Sequence, residues 1–396
     1  MGNTNPNECN YSMIETPKKY IHKYSCGQYE GYRKHDKANG YGMMRYTNGD
    51  VYEGFWEDDL KHGGGTYKFT CGDVYQGYWE YDKIHGQGTF KFTNGDVYQG
   101  YWEDNKRHGQ GTLKFTNGNI YEGDFKDDKM VRGTFKFTNG DVYEGDFQDH
   151  KRHGRGTFKL IKGDVYKGDW KNDKKHGSGT YKYTNGDVYK GTWEDNQKHG
   201  SGTFKYANGD VYKGMWRGDK KHGSGTLKFD DGDIYEGNFV DNKRQGHGTL
   251  KITNGDIYEG EFKNGLFNGQ GTFRFADGSI YIGQYKNDLF HGRGKLIDNG
   301  DIYEGEFKNN FYNGHGTYKF ADGDIYIGEF KNDLYHSEGK LIYSDGSFYS
   351  GQWKYDLRSG YGSSNRNGVI VSGYWQDNQI VREKKIVRPS TNIDSK

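Results

Sequence analysis

Between residues 91 and 112 the chain reads "KFTNGDVYQGYWEDNKRHGQGT", which sets Glu103, Asp104, Lys106, Arg107 and His108 side by side and follows them with Gly109-x-Gly111. Adjacent carboxylates with a histidine are the groups of general acid–base catalysis. A histidine among carboxylates can hold a divalent metal, and closely spaced glycines can bring backbone amides to a phosphate. Each of these chemistries needs one constellation in a tuned environment. Here almost the same string starts again 23 residues later, and again after that.

The repetition decides against each chemistry in turn. His62, His85, His108, His153, His176, His199, His222 and His291 fall in one register. In a sheet, neighbouring copies of a two-strand unit lie roughly 9 to 10 Å apart, whereas ligands sit about 2 Å from a shared zinc ion. "HGQGTLKF" has neither a third glycine at nucleotide-binding spacing nor a helix after it. Asp96, Glu103 and their copies read as solvated turn and loop carboxylates without a unique partner. No Gly-x-Ser-x-Gly, His-Glu-x-x-His or P-loop occurs. The expectation is a protein with no catalytic residues, no metal site and no cofactor.

The elements that carry these residues follow from the period. Tyr-x-Gly recurs from Tyr29 and Tyr52 through Tyr98 and Tyr121 to Tyr326 and Tyr349, fifteen copies at intervals of 23 residues, with two intervals of 22 ending at Tyr143 and Tyr303. A degenerate sixteenth copy surrounds Gly373. A fixed period of this size marks units that stabilise one another. Within a copy, Tyr98, Gly100 and Trp102 alternate with Val97, Gln99 and Tyr101, and Leu113 and Phe115 alternate with Thr112 and Lys114, a strand pattern. Asn94-Gly95 and Asn139-Gly140 read as tight hairpin turns between copies, and "EDNKRHG" as a longer polar loop. The fold class is all-β: an elongated, single-layer antiparallel β-meander of about fifteen tandem hairpins, on the order of 140 Å long if untwisted.

All eight tryptophans share the Trp102 register. Tyr98, Gly100, Trp102, Gly109 and Gly111 are therefore read as a structural ladder, with glycine leaving room under a ring. Composition agrees. Only 31% of the chain is hydrophobic, yet 17% is aromatic, with 64 glycines and with three prolines that all lie outside the repeats. Mean hydropathy is −1.15. Residues 1–23 are assigned as a disordered polar segment, 24–376 as the array and 377–396 as a tail. There is no apolar run of membrane-spanning length and no secretory h-region, which makes the cytoplasm the default. Cys9, Cys26 and Cys71 lack disulfide or zinc spacing. Gly2 stands where myristoylation begins, but Pro6 occupies the position that wants Ser or Thr.

Tyr-x-Gly-x-[Trp/Phe] followed by His-Gly-x-Gly-Thr every 23 residues resembles the MORN (membrane occupation and recognition nexus) repeat family, over roughly residues 24 to 376. Departures are local: Val131 in "KMVRGT", Asn268 and Asn313 in place of the histidine, "HSEG" at 336 to 339, and a shortened turn at Asp298. The resemblance implies a β-sheet rod acting as a non-enzymatic scaffold or adaptor where cytoskeleton meets the cytoplasmic face of a membrane, often as a homodimer. It also implies protein partners, cytoskeletal or membrane-associated, and acidic phospholipid headgroups such as phosphoinositides. Two alternatives follow from the same family, an axonemal or radial-spoke component of a cilium or flagellum that binds no lipid, and an accessory chain of a phosphoinositide kinase. Enzymes that carry such arrays place catalysis in an appended domain, and the segments of roughly 20 residues flanking this array are short for one.

Charge and apolar residues mark candidate contact surfaces. Residues 160–228 hold 14 Lys and Arg against 8 Asp and Glu, and residues 229–345 hold 12 against 20. Loop cations Lys106, Arg107, Lys151, Arg152, Lys174, Lys175, Lys198, Lys220 and Lys221 are expected to line one edge as a contact for anionic lipid or an acidic partner. Strand lysines such as Lys91, Lys114, Lys205 and Lys228 would line one face. With a net charge of +1, nucleic acid is not an expected partner. Past residue 260 the loop pairs become Leu266 and Phe267, Leu289 and Phe290, Phe311 and Tyr312, and Leu334 and Tyr335. These are expected to form an apolar ridge for a dimer or partner contact. Phe55, Tyr78 and Tyr101, beside Val51, Val74 and Val97, add aromatics to the face opposite the ladder.

Overall fold

Each repeat folds as the two strands that its alternating side chains call for, typified by Val97–Glu103 and Lys106–Lys114. The computed structural model describes residues 18–387. Gly2, Cys9, most of the expected N-terminal segment and the last nine residues of the tail lie outside the described residues. Among the described residues there are 33 strands and no helix. The chain forms two compact units, residues 1–184 and 185–396. In the first, strands run from Tyr20–Tyr24 to Lys174–Lys182. In the second they run from Val188–Glu194 to Gln379–Val387. Within each unit a strand pairs antiparallel with the next one in sequence, as in an open meander. Paired strands extend past both expected limits of the array: Tyr20–Tyr24 lies against Gly27–Lys34, and Gln379–Val387 against Val369–Gln376.

The turns differ from the sequence expectation. The tight two-residue turn lies inside the repeat at Asp104-Asn105, with φ values of 47° and 68°, the left-handed pair of a type I′ hairpin. "EDNKRHG" is therefore no loop: strand pairing resumes at Lys106, which faces Glu103. Asn94-Gly95 sits instead in a three-residue connection, where the Gly95 amide donates to the Phe92 carbonyl and the Phe92 amide to that of Asp96. Only Gly95 there is left-handed, at 91°. Asp and Asn tolerate the left-handed region nearly as Gly does, so an acidic turn can take the I′ role. At the shortened copy, Asn299 and Gly300 both have positive φ and close directly between Asp298 and Asp301.

Between Gly100 and Trp102 the ladder carries a bulge. Gly100 pairs with Gly111, but Trp102 pairs with Arg107, so Tyr101 alone faces the three residues between Arg107 and Gly111. Gly109 turns this corner with φ of 58°, and Ser337 takes the same conformation at 56° in "HSEG". In the 22-residue copy, Val131 is the single residue left in the bulge.

The core is the aromatic ladder. Tyr98 is fully buried, its hydroxyl donating to the Tyr101 carbonyl at 2.9 Å. The Trp102 ring stands edge-on to Tyr98 at 5.1 Å and to Tyr75 of the preceding copy at 5.7 Å, the geometry that aromatic quadrupoles favour. The Tyr98 ring lies across the Gly100–Gly111 pair. A Cβ on Gly111 would come within 2.4 Å of its hydroxyl oxygen, so the glycines are the floor on which each ring rests.

Candidate partner-binding surfaces

Arg107 pairs with Trp102 and so shares its face. That register turns its side chain over the ladder: Lys61, Arg107, Arg152, Lys175, Lys198, Lys221 and Arg244 all lie over rings. The Arg152 guanidinium carbon is 4.4 Å from the Trp170 centroid, a cation–π contact. Its Nε is 3.1 Å from Asp173 Oδ1, and its backbone amide donates to the same oxygen at 3.0 Å, so one residue closes the ring stack and ties it to the next turn. Burial lowers the Lys198 and Lys221 ammonium pKa values.

The expected nine-residue cationic edge therefore divides in two. Arg107, Arg152, Lys175, Lys198 and Lys221 are half-buried lids, while Lys106, Lys151, Lys174 and Lys220 remain exposed. The Lys106 side chain keeps 55% of its accessible surface against 17% for Arg107.

The apolar pairs follow the same rule. Phe267 stacks on Tyr258 at 3.8 Å, Phe290 on Tyr281 at 3.7 Å, Tyr312 on Tyr303 at 3.8 Å and Tyr335 on Tyr326 at 3.6 Å. These four rings are lids, so no continuous eight-residue ridge forms. Leu266 and Phe311 are exposed, and Leu289 and Leu334 partly so.

The turn carboxylates read as solvated are clasps between copies. Asp96 Oδ1 accepts from the Thr116 amide at 2.7 Å and from its hydroxyl at 2.8 Å. At Asp164 the clasp is buried, with bonds from Tyr181 at 2.7 Å, the Thr184 amide at 2.9 Å and Lys162 at 2.8 Å. Burial by itself would raise the Asp164 pKa, but the bonds from Lys162, Thr184 and Tyr181 outweigh it and hold the carboxyl well below the usual range. This stability is present above the unfolded-state pKa and is lost as pH falls through the folded one. Asp164→Ala is expected to cost about 1 to 3 kcal/mol at neutral pH by leaving buried donors unpaired. Urea unfolding checks it, with the difference from wild type shrinking in strong acid.

Among the described residues no three His, Cys, Asp or Glu side chains converge as a metal would need. His108 Nδ1 lies 3.1 Å from Glu103, a repeated contact on the outer face. Cys26 and Cys71 are free and exposed.

The outer face, opposite the ladder, is where charge stands free. In the second unit Lys205 and Lys228 flank Val211, Lys213 lies beside Thr203 and Thr226, and Lys190 faces Thr203 from the other side. All four lysines are exposed. One level farther along the strands, on the side of Lys190 and Lys213 away from Lys205 and Lys228, Ser201 pairs with Met215.

A MORN repeat model matches fifteen consecutive stretches, from residues 29–51 through 98–120 to 349–364. No curated protein matches the sequence. Among solved structures, the chain is similar to the TCP domain of SAS-4 (dCPAP) of Drosophila melanogaster in complex with a proline-rich motif of Ana2. Identity is 13%, with 43% of this chain and 86% of that one covered and a TM-score of 0.26. It is also similar to the TCP10 domain of Danio rerio CPAP in complex with a STIL peptide, at 11% identity, 69% and 96% coverage and a TM-score of 0.23. A virginiamycin B lyase from Staphylococcus aureus follows at 11%, 70% and 95%, with a TM-score of 0.13. With fifteen matched copies, each laid out as a hairpin with its ring on a glycine floor, the chain belongs to the MORN repeat family.

Proposed function

We propose that this chain is a non-enzymatic repeat scaffold at a membrane–cytoskeleton junction, whose outer face contacts acidic phospholipid headgroups while other surfaces hold protein partners. The observation that carries the lipid contact is the group Lys190, Lys205, Lys213 and Lys228: exposed, on one face, and without an ion pair among the described residues. Each cation near an anionic membrane contributes at most about 1 kcal/mol, so affinity comes from the number of lysines. The lid cations contribute little, since reaching a membrane would uncover the rings beneath them.

The test is cosedimentation of the full chain with neutral liposomes and with liposomes containing phosphatidylinositol 4,5-bisphosphate, at low and physiological salt. Selective binding that weakens with salt is expected. Lys205→Gln, Lys213→Gln and Lys228→Gln together should reduce it by on the order of 100-fold, whereas Lys198→Gln with Lys221→Gln should leave it nearly intact. Equal binding to neutral liposomes would sink the lipid contact.

A second reading rests on the excess of 20 Asp and Glu over 12 Lys and Arg across residues 229–345 and on the exposed Leu266 and Phe311. These suit a basic, partly apolar protein segment, as for a scaffold that binds no lipid.

A further inference from the structure

The outer face of the first unit carries rings that neither the ladder nor a charged surface explains. Tyr41, Phe55, Tyr78 and Tyr101 are between 36 and 51% exposed, although large rings are normally buried. They stand at one level across successive strands, because Tyr41 pairs with Phe55, Gly64 with Tyr78 and Gln87 with Tyr101. At Gly64 an added Cβ would meet nothing within 4 Å, and the backbone is not left-handed, so neither conformation nor packing within the chain calls for glycine. It leaves a hollow between Phe55 and Tyr78.

Later hairpins reveal what this level holds when no ring stands there. Asp146 and Asp169 occupy the register of Tyr101. Each folds its carboxylate over the bulge to accept from a backbone amide, that of Arg155 at 3.1 Å and that of Ser178 at 2.9 Å. Glu261 does the same for the Gln270 amide at 3.2 Å. The equivalent amides beside Phe55, Tyr78 and Tyr101 are those of Gly64, Gln87 and Gln110. All three residues are exposed, and among the described residues no side chain bonds to these amides.

The neighbouring row repeats the exchange. Glu122, which bonds Lys136 at 2.8 Å, has Gln76 and Gln99 in its register. Glu53 remains there, and it accepts from the Tyr41 hydroxyl at 3.0 Å. Beyond that row Arg45, Lys68, Lys91 and Lys114 are exposed and make no ion pair among the described residues. In these copies rings and glutamines stand in place of carboxylates, while the amides and cations that carboxylates would answer are still present. We infer that this stripe binds an extended acidic segment of a partner protein, laid along the row of rings. Its apolar side chains rest against Phe55, Tyr78 and Tyr101, and its carboxylates meet the bulge amides and the basic row. The inference rests on the scaffold reading, for which it names a partner, and not on the lipid contact, whose lysines lie in the second unit.

Two arguments select a single peptide chain. Copies advance roughly 9 to 10 Å along the sheet, and a polyproline-II-like chain rises about 3.1 Å per residue with three residues per turn. Such a chain presents the same side to every copy, so an apolar residue at each third position meets each ring in turn. The second argument is the width of the basic surface. Glu57, Glu80 and Glu103 line the other flank of the rings, two residues along the strands, beside His62, His85 and His108. A flat anionic membrane would rest on both flanks and be repelled by one, whereas one chain fits between them.

Fluorescence anisotropy of a labelled peptide of four Leu-Ser-Glu units, titrated with the full chain, tests the assignment. Saturable binding that weakens with salt is expected, and a peptide of the same composition with its leucines contiguous should bind at least about tenfold more weakly. Phe55→Ser with Tyr78→Ser, and separately Lys68→Gln with Lys91→Gln, should each weaken binding about tenfold or more. Tyr78→Asp with Tyr101→Asp gives this stretch the residues that Asp146 and Asp169 already place in the same fold. Its circular dichroism spectrum should therefore match wild type, yet it should abolish binding, while Tyr78→Ala with Tyr101→Ala should keep a measurable part of it. No binding of the probe, binding unmoved by these substitutions, or an Asp pair that binds as well as the Ala pair would overturn the inference. So would a loss of liposome binding on Phe55→Ser with Tyr78→Ser, which would make the stripe a membrane contact. Cross-links from residues 1–17 to the stripe in the free chain would also overturn it, by making the chain's own segment the occupant.

Discussion

Gly100→Ala is expected to melt the copy that contains it, at a cost of about 3 kcal/mol or more. The new Cβ would lie 2.5 Å from the Gly111 Cα, 2.5 Å from the Tyr98 hydroxyl and 2.7 Å from the Gln110 carbonyl oxygen. Two of those three are backbone atoms of the paired strand, which cannot move without breaking the ladder. Gly64→Ala is the matched control, because it meets open space and strand glycine is conformationally expensive in the unfolded chain, so a gain of up to about 1 kcal/mol is expected. Urea unfolding together with hydrogen exchange on the flanking strands would separate the two. Equal stability of the two variants would remove the glycine floor as the determinant of the fold.

A second large effect is expected in alkali. Burial raises the phenol pKa of the ladder tyrosines, to about 12 for Tyr29, Tyr235 and Tyr349 and upward for Tyr98 by the same cause. For a raised acid, the stabilisation is complete below the unfolded value near 10 and is lost as pH rises through the folded value. Each such phenol therefore withdraws about 1.4 kcal/mol per pH unit in that window. With all fifteen ladder tyrosines no more than 1% exposed, the sum overtakes the roughly 5 to 15 kcal/mol by which a domain is ordinarily stable. Loss of the sheet signal in circular dichroism should coincide with a step in tyrosinate absorbance between about pH 10 and 12. Gradual ionisation with the sheet intact would contradict the burial of these hydroxyls.

The period, the strands and the glycine floor under the rings were legible from alternation and spacing, since Tyr98, Gly100 and Trp102 differ by two residues and must share a face. The lids were not. Counting "EDNKRHG" as a loop hid the fact that Asp104-Asn105 closes the hairpin by itself, which makes Arg107 the strand partner of Trp102 and sends both Arg107 and Phe267 inward. Neither charge nor hydrophobicity predicts that direction; only the two-residue turn does. The clasps had a signal that went unread: Asp96 and Thr116, like Asp164 and Thr184, are separated by 20 residues, one period less the connection between strands. The vacancy at Gly64 was beyond sequence reasoning, because one more glycine among 64 looks like all the others.

The meander also sets how the protein answers to tension. Within each unit a strand bonds only to the strands before and after it in sequence, with the ladder bonds perpendicular to the chain direction. Tension entering through a chain end therefore loads the bonds of the outermost pair alone, opening them one after another like a zipper instead of shearing a whole strand at once. Each repeat that peels away releases 23 residues, roughly 80 Å of extended chain, while the copies behind it keep their rings stacked. A linkage of this kind lengthens in steps at low force and rewinds when the load falls, so it yields by increments where a domain with one common core would fail all at once.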